Sequence, residues 1–356
     1  MNKKTGKTAM IWTIVLILTL ILLPFLVPSA MRTAGAEDGI VYDNLPVYEP
    51  VELAHPDAGP AEFREDRNGN PIAVYGAHRD GIQTDPPGYL DETLSIRMEW
   101  CTVTNSRGVD TPILFTYVQI AHPSQMAAAF SGPYYTTNEM LVHQVAKRCN
   151  ALLAIDGDWC QGRPDGLVIR NGVEYRRKPF NRLDMTMDAL IVDWNGDFHI
   201  LQHPELEELD QYEGQIMHCF VFGPAMVIDG EVIFQDGNNY GTVGGMWLEK
   251  HTQRQVLCQM GPLSYLIITT EGEDSLSKGG FTGNEIAQIA HDAGALQAYN
   301  MDGGASAQTV LVNGIETYDD GTVGYTYARI NDPTIPDRRP ICDIIYFCPA
   351  EPDVSE

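Results

Sequence analysis

The segment Tyr299-Asn300-Met301-Asp302-Gly303-Gly304-Ala305-Ser306 sets a carboxylate between an apolar run and two glycines, then follows it with a hydroxyl. Glycine lets a backbone turn through positive φ and approach a ligand closely, exposing N–H groups to an anion. Asp302 is therefore a candidate catalytic carboxylate, with Asn300, the Gly303 and Gly304 amides and Ser306 as candidate substrate contacts. A second acidic turn, Asp156-Gly157-Asp158-Trp159, follows an apolar stretch at 151–155. Two carboxylates can divide acid and base work or stabilise a cationic centre between them, which makes Asp156 the candidate partner of Asp302. Asp158 adds a further negative charge, able to repel an anion or to recruit a cation.

The elements around these turns repeat. Thr282-Gly283-Asn284-Glu285 has the spacing of a capping box. Ile286, Ile289, Ala290 and Ala293 then recur at helical spacing, and Gly294 falls where a left-handed C-cap ends a helix. Residues 295–301 read as the next strand, and 309–318 as a hairpin turning at Asn313-Gly314. Upstream, Thr136 and Glu139 have the same capping-box spacing, and Leu141, Val142, Val145, Ala146 and Cys149 share one helical face before the 151–155 strand. Helix, strand and Asp-Gly turn thus occur twice, and the expectation is that both strands lie close and present Asp156 and Asp302 at one sheet edge. Strands at 94–103 and 112–121 should pair antiparallel, and Asn171-Gly172 and Asn195-Gly196 mark hairpins. The expected architecture is α+β: a mixed, largely antiparallel sheet with two helix-strand units, preceded by an N-terminal transmembrane helix.

With 356 residues, 44% of them apolar, the chain can bury a sizeable core. A net charge of -25 argues against nucleic acid as a partner. Residues 1–31 carry three lysines and then an apolar run at 9–27, long enough to span a bilayer. By the positive-inside rule this predicts a single-pass cell-membrane protein, anchored through 9–27, with its C-terminal domain extracellular. Ala34-Gly35-Ala36 leaves cleavage of the anchor open. Residues 32–90, rich in Pro, Gly and acidic residues, read as an extended spacer, 91–349 as the domain and 350–356 as an acidic tail. Asp66, Asn68 and Asn70 imitate half of a calcium loop, but Pro71 occupies the glycine position, so a polar turn is expected. Seven cysteines permit disulfides with one left over, and Cys149 and Cys160 flank the first acidic turn and could staple it. Neither a C-x-x-C pair nor an H-x-x-x-H helix is present, which gives no signature for structural zinc.

The run from Asn300 to Ser306, with Gly279-Gly280-Phe281-Thr282 leading into a helix three residues before Glu285, resembles the phosphodiester glycosidase family, whose motif is N-[LM]-D-G-G-[GA]-S. Further blocks resemble that family in order: Asp165 to Gly172, Phe222 to Gly230, the strand carrying Arg254, and Arg339 before the last strand. The resemblance covers about residues 100–349. It implies hydrolysis of a sugar-1-phosphodiester bond in a cell-surface or extracellular glycan, with no required cofactor. It assigns Arg254 and Thr282 to the phosphate and Arg339 to the substrate, and leaves Glu285 either a substrate contact or only a cap. The first turn departs from the family's Asn-Gly-Gly-aromatic, since carboxylates stand at Asp156 and Asp158. Two other readings stay open: a non-catalytic polysaccharide-binding surface domain, and a metal-dependent phosphodiesterase with Asp156, Asp158 and Asp302 as ligands of a divalent cation.

Overall fold

Alternating apolar and β-branched runs dominate the chain, and they form strands. The computed structural model describes residues 41–136, 140–163, 165–180, 187–234, 248–272, 279–321, 323–331 and 339–350. Every strand pairing among them is antiparallel. One sheet has nine strands and runs from Glu231–Val232 through Ala225–Ile228, Gln297–Asn300, Gln255–Gly261, Ser264–Thr270, Asp110–Ile120 and Leu94–Thr104 to Pro87–Leu90 and Ile82–Thr84. A second has five strands: Val323–Arg329, Thr309–Thr317, Leu153–Asp156, Asp343–Phe347 and Met126–Phe130. A third, also of five strands, is Val173–Lys178, Gly166–Arg170, Ile216–Phe222, Asp188–Asp193 and Phe198–Leu201.

The main core lies where these sheets meet. Leu114, Ile267 and Tyr299 from the first, Ile155, Leu311 and Ile345 from the second, and Leu190, Val192 and Phe220 from the third form one buried cluster. The Gly283–Asp292 helix packs Ile286, Ile289 and Ala290 on Val256, Cys258 and Ala298 of the nine-stranded sheet. The Val142–Cys149 helix packs Val142, Val145 and Ala146 on Ala154, Ile344 and Tyr346 of the second sheet. Among the described residues only one other α-helix occurs, the short Leu206–Asp210. The α+β class and the largely antiparallel pairing therefore hold, distributed over separate sheets.

Several expectations need correction. The single-pass membrane localisation is overturned, because among the described residues no helix is long and apolar enough to cross a membrane; residues 9–27 lie outside them. The stretch read as a spacer contributes to the folded unit from residue 41 onward. Pro87–Leu90 pairs with Leu94–Thr104, and Tyr89 is fully buried with its hydroxyl donated to Asp91 at 2.8 Å. Sheet pairing orders a segment whose composition alone supplies no periodicity. The Asp66 turn is polar as expected: its Oδ1 accepts from the Asn68 and Asn70 amides at 2.7 and 2.9 Å.

The first helix starts later than the Thr136 spacing suggests, at Val142, because the Thr136 hydroxyl is donated back to Pro133 O at 2.8 Å; Glu139 lies outside the described residues. Gln144 instead reaches back to the Leu141 amide at 3.0 Å. Asn313-Gly314 is a bulge inside the continuous strand Thr309–Thr317, which pairs with Val323–Arg329. The Thr282 capping box forms as expected. Glu285 N–H donates to Thr282 Oγ1 at 3.3 Å, and Glu285 Oε2 accepts from the Thr282 amide and hydroxyl at 2.7 and 2.9 Å. Thr282→Ala is expected to cost about 1 kcal/mol, read as a lower denaturant midpoint, while Thr282→Ser stays near the parent.

Candidate active site

Asp156 ends the strand Leu153–Asp156, which is held on one side by Asp343–Phe347, with Asp156 opposite Ile344, and on the other by Thr309–Thr317, with Ile155 opposite Thr309. Asp302 follows Gln297–Asn300 in the nine-stranded sheet. The two carboxylates thus hang from different sheets rather than from one edge. They meet because the chain leaving Asp302 crosses to the second sheet and enters it at Thr309, beside the strand that carries Asp156. Tyr299 anchors the approach: its buried hydroxyl donates to Asp188 O at 2.7 Å and accepts the Phe222 amide at 2.8 Å. Gly303 is extended, and its glycine identity answers to space, since a Cβ would stand 2.8 Å from Gln253 O. Gly304 adopts φ +57 and donates its amide to the same carbonyl at 3.0 Å.

Asp156, Asp302, Ser306 and Arg339 line one small cavity of about 70 Å³, together with Trp159 and Cys342. Asp156 is 2% exposed; its Oδ1 accepts the Gly157 amide at 2.8 Å and its Oδ2 has no hydrogen-bond partner among the described residues. Burial, then the nearby charges of Asp302 and Asp343, push the Asp156 carboxyl well above the usual carboxylate range. Burial also raises Asp302, opposed by Arg339, the Ser306 hydroxyl and the Gly303 amide. The pair therefore has unequal environments: Asp156 favours its protonated form more strongly, and Asp302 keeps the groups that support a charge.

The other candidates take different places. The Gly303 amide donates to its neighbour Asp302 Oδ1 at 2.9 Å, so neither glycine N–H is left to meet an anion in this arrangement. Asn300 is buried and donates to Gly223 O at 2.8 Å, outside the cavity wall. Arg254 is also buried and away from that wall, giving its Nε to Phe281 O at 3.0 Å and a terminal nitrogen to Lys250 O at 2.8 Å. It binds the loop ahead of the Thr282 cap. Glu285 serves that cap and also accepts the Ser106 amide at 2.5 Å. Although burial opposes its charge, the Thr282 and Ser106 hydrogen bonds hold its carboxyl below the usual range. Ser106 Oγ and Glu285 Oε2 both meet His251 Nε2, at 3.0 and 3.2 Å, so they share one ring nitrogen. A hydrolytic relay uses opposite ring nitrogens.

Asp158 points into the interior. Its Oδ1 accepts from Arg170 at 2.7 Å, and its Oδ2 from Arg163 at 2.8 Å and the Val221 amide at 2.7 Å. Arg170 continues to Asp343 Oδ2 with Nε at 3.1 Å and a terminal nitrogen at 2.8 Å, and its guanidinium lies 4.1 Å from the centre of the Phe220 ring. Against the burial that opposes its charge, Arg170 and then Arg163 hold Asp158 below the usual range. This disposes of the expectation that Asp158 confronts the substrate or a cation. Gly157 lies directly over the network, where a Cβ would stand 2.3 Å from an Asp343 oxygen. Sequence reasoning missed Asp343, Cys342 and the role of Arg170; the polar residue opening an otherwise apolar last strand was the available signal for Asp343.

The sequence profile of the phosphodiester glycosidase family matches residues 135–348, more than half of the chain. The SPbeta prophage-derived uncharacterized protein YomE of Bacillus subtilis (strain 168) is 27% identical over 184 residues, 51% of this chain and 27% of that protein. The chain thus spans about a quarter of that curated relative's length. Among solved structures, the zebrafish N-acetylglucosamine-1-phosphodiester alpha-N-acetylglucosaminidase catalytic domain, auto-inhibited by its pro-peptide, matches with a TM-score of 0.53. The identity is 15%, over 77% of this chain and 95% of that one, which is a likeness of fold. A hypothetical protein from Synechocystis matches at a TM-score of 0.47 and 12% identity, over 73% of this chain and 63% of that one.

Two outcomes test the electrostatics. Arg170→Met leaves the buried Asp343 without its cation and Asp158 with Arg163 alone, and is expected to destabilise by about 3–5 kcal/mol in equilibrium unfolding. For Asp156 the sign is opposite. Folding raises its pKa, so its contribution to stability is complete below the ordinary value of 3.8 and declines as pH rises toward the elevated one. Asp156→Asn, which cannot ionise, should melt above the parent near neutral pH, with the gap closing as pH falls toward 3.8.

Proposed function

The chain belongs to the phosphodiester glycosidase family, and from that premise we propose that it is a hydrolase whose Asp156–Asp302 cavity cleaves the bond between a sugar anomeric carbon and a phosphate oxygen. The family assignment supports a glycosidase-type function; the sugar-1-phosphodiester bond of a glycan is the substrate class proposed. The observation that carries the reading is the meeting of two unequal carboxyl groups beside Arg339 in a single cavity.

In this reading Arg339 holds a phosphate oxygen, for which a guanidinium fork is suited. Asp156, kept protonated by its surroundings, gives its proton to the bridging oxygen as the carbon–oxygen bond breaks. Asp302 supports the positive charge that grows on the anomeric carbon. Water supplies the oxygen that ends on the sugar, and a phosphomonoester leaves. Arg339 and the Gly303 amide favour the charged form of Asp302 for that task, against the burial that raises it. A metal-dependent phosphodiesterase with Asp158 as a ligand is disfavoured, because both oxygens of Asp158 already accept hydrogen bonds from Arg163, Arg170 and Val221.

The test is release of free sugar from glycosyl-1-phosphodiesters that differ in leaving-group acidity. Asp302→Asn is expected to lose about 100-fold or more in kcat on all of them. The loss from Asp156→Asn should shrink as the leaving group becomes more acidic, and the parent rate should fall as pH rises through the elevated Asp156 value. Full rates in both variants, or glycan binding by the parent with no turnover, would overturn the assignment.

A further inference from the structure

The cavity wall carries a thiol that the proposed reaction does not use. Cys342 lines the cavity at 2% exposure, and Cys160 is fully buried behind it. Their sulfur atoms and one Asp343 carboxylate oxygen all lie within 4.8 Å of one another. The pairing of Cys160 with Cys149 expected from the sequence is not what the fold brings together. Cys149 packs with Ala154 and Tyr346, whereas Cys160 packs with Phe130, Val168 and Cys342.

Two chemistries suit two sulfurs beside a carboxylate: a soft cation, or a covalent bond between the sulfurs. A cation needs thiolates, and burial pushes the Cys160 thiol up, while contact with Cys160 and burial push Cys342 up. Asp343 is already paired with the Arg170 guanidinium, whose charge opposes a second cation at the same place. A disulfide is neutral and leaves no charge in the interior. At about 70 Å³ the cavity admits a molecule as small as hydrogen peroxide, since about 10–15 Å³ suffices for one water.

We propose that Cys160 and Cys342 are an oxidation site that closes to a disulfide when hydrogen peroxide enters the cavity. The Cys342 sulfur attacks one peroxide oxygen while its own proton passes to the other; the O–O bond breaks, one water leaves and a sulfenic acid remains. The Cys160 sulfur then displaces that hydroxyl as a second water and forms the S–S bond. Two thiols and one peroxide give one disulfide and two waters. The bond ties the turn from Asp156 to Cys160 to the wall that carries Arg339, whichever ester the cavity accepts.

The experiment uses the full chain, reduced, freed of reductant and exposed to hydrogen peroxide while folded. Remaining thiols are alkylated in denaturant, and the digest is read by mass spectrometry. The expected product is a Cys160 peptide joined to a Cys342 peptide and lighter by two hydrogens. In Cys160→Ser the expected product is a dimedone adduct on Cys342. If that variant does not fold, the parent digest decides alone. The proposal is overturned if both cysteines are alkylated as fully as in untreated protein, or if Cys160 is joined to Cys149. It also fails if the reduced protein binds one zinc ion tightly and that ion blocks the oxidation.

Discussion

The buried charge network under the first acidic turn is the constraint on which the site depends. A carboxylate in the interior needs a cation and hydrogen bonds to remain ionised, and Asp158 receives Arg163, Arg170 and the Val221 amide. Arg170 also holds Asp343, so one guanidinium joins the turn after one strand, the start of the last strand and the third sheet. The turn must pass within contact distance of Asp343, which is why Gly157 carries no side chain there. Asp156, one residue before that glycine, makes no ion pair among the described residues, and Arg339 across the cavity only partly offsets its burial. The same backbone therefore holds a satisfied carboxylate and an unsatisfied one two positions apart, and the contrast between them separates structure from chemistry.

The departure of the first turn from its family's pattern has a physical account in this network. A carboxylate at Asp158 adds a charge, but it is directed inward and met by two arginines. Its charge still reaches Asp302 and helps to raise that carboxyl, but its oxygens do not face the cavity. The substitution changes the foundation of the site rather than the surface that faces a ligand.

Much of this was legible in the sequence, and the failures have common causes. The two acidic turns, the Thr282 cap and the Asn171-Gly172 hairpin were readable because each is local: a few residues specify the dihedrals and the hydrogen bonds. Neighbours joined by a short turn were readable, as with 94–103 and 112–121, but which distant strands pair was not, because a period of two identifies a strand's faces and not its neighbours. The motif residues Arg254, Thr282, Gly303 and Gly304 looked like an anion cradle by type, but the hydrogen-bonding groups that suggested it are engaged by nearby protein groups. Cys342 and Asp343 were hidden in a run that reads as core, since burial and reactivity use the same positions once a cavity opens beside a strand.

The crossing of the chain from the nine-stranded sheet into the second sheet has one more consequence. The gap between the two carboxyl groups is not fixed by either sheet alone; it is the spacing between layers, set by side chains such as Leu257, Leu311 and Ile345 in the shared core. A methyl group lost there lets one layer settle toward the other, and the reacting oxygens travel with it. Turnover can then drift through substitutions that touch neither aspartate, and the volume of the hydrophobic interior acts as the ruler for the chemistry.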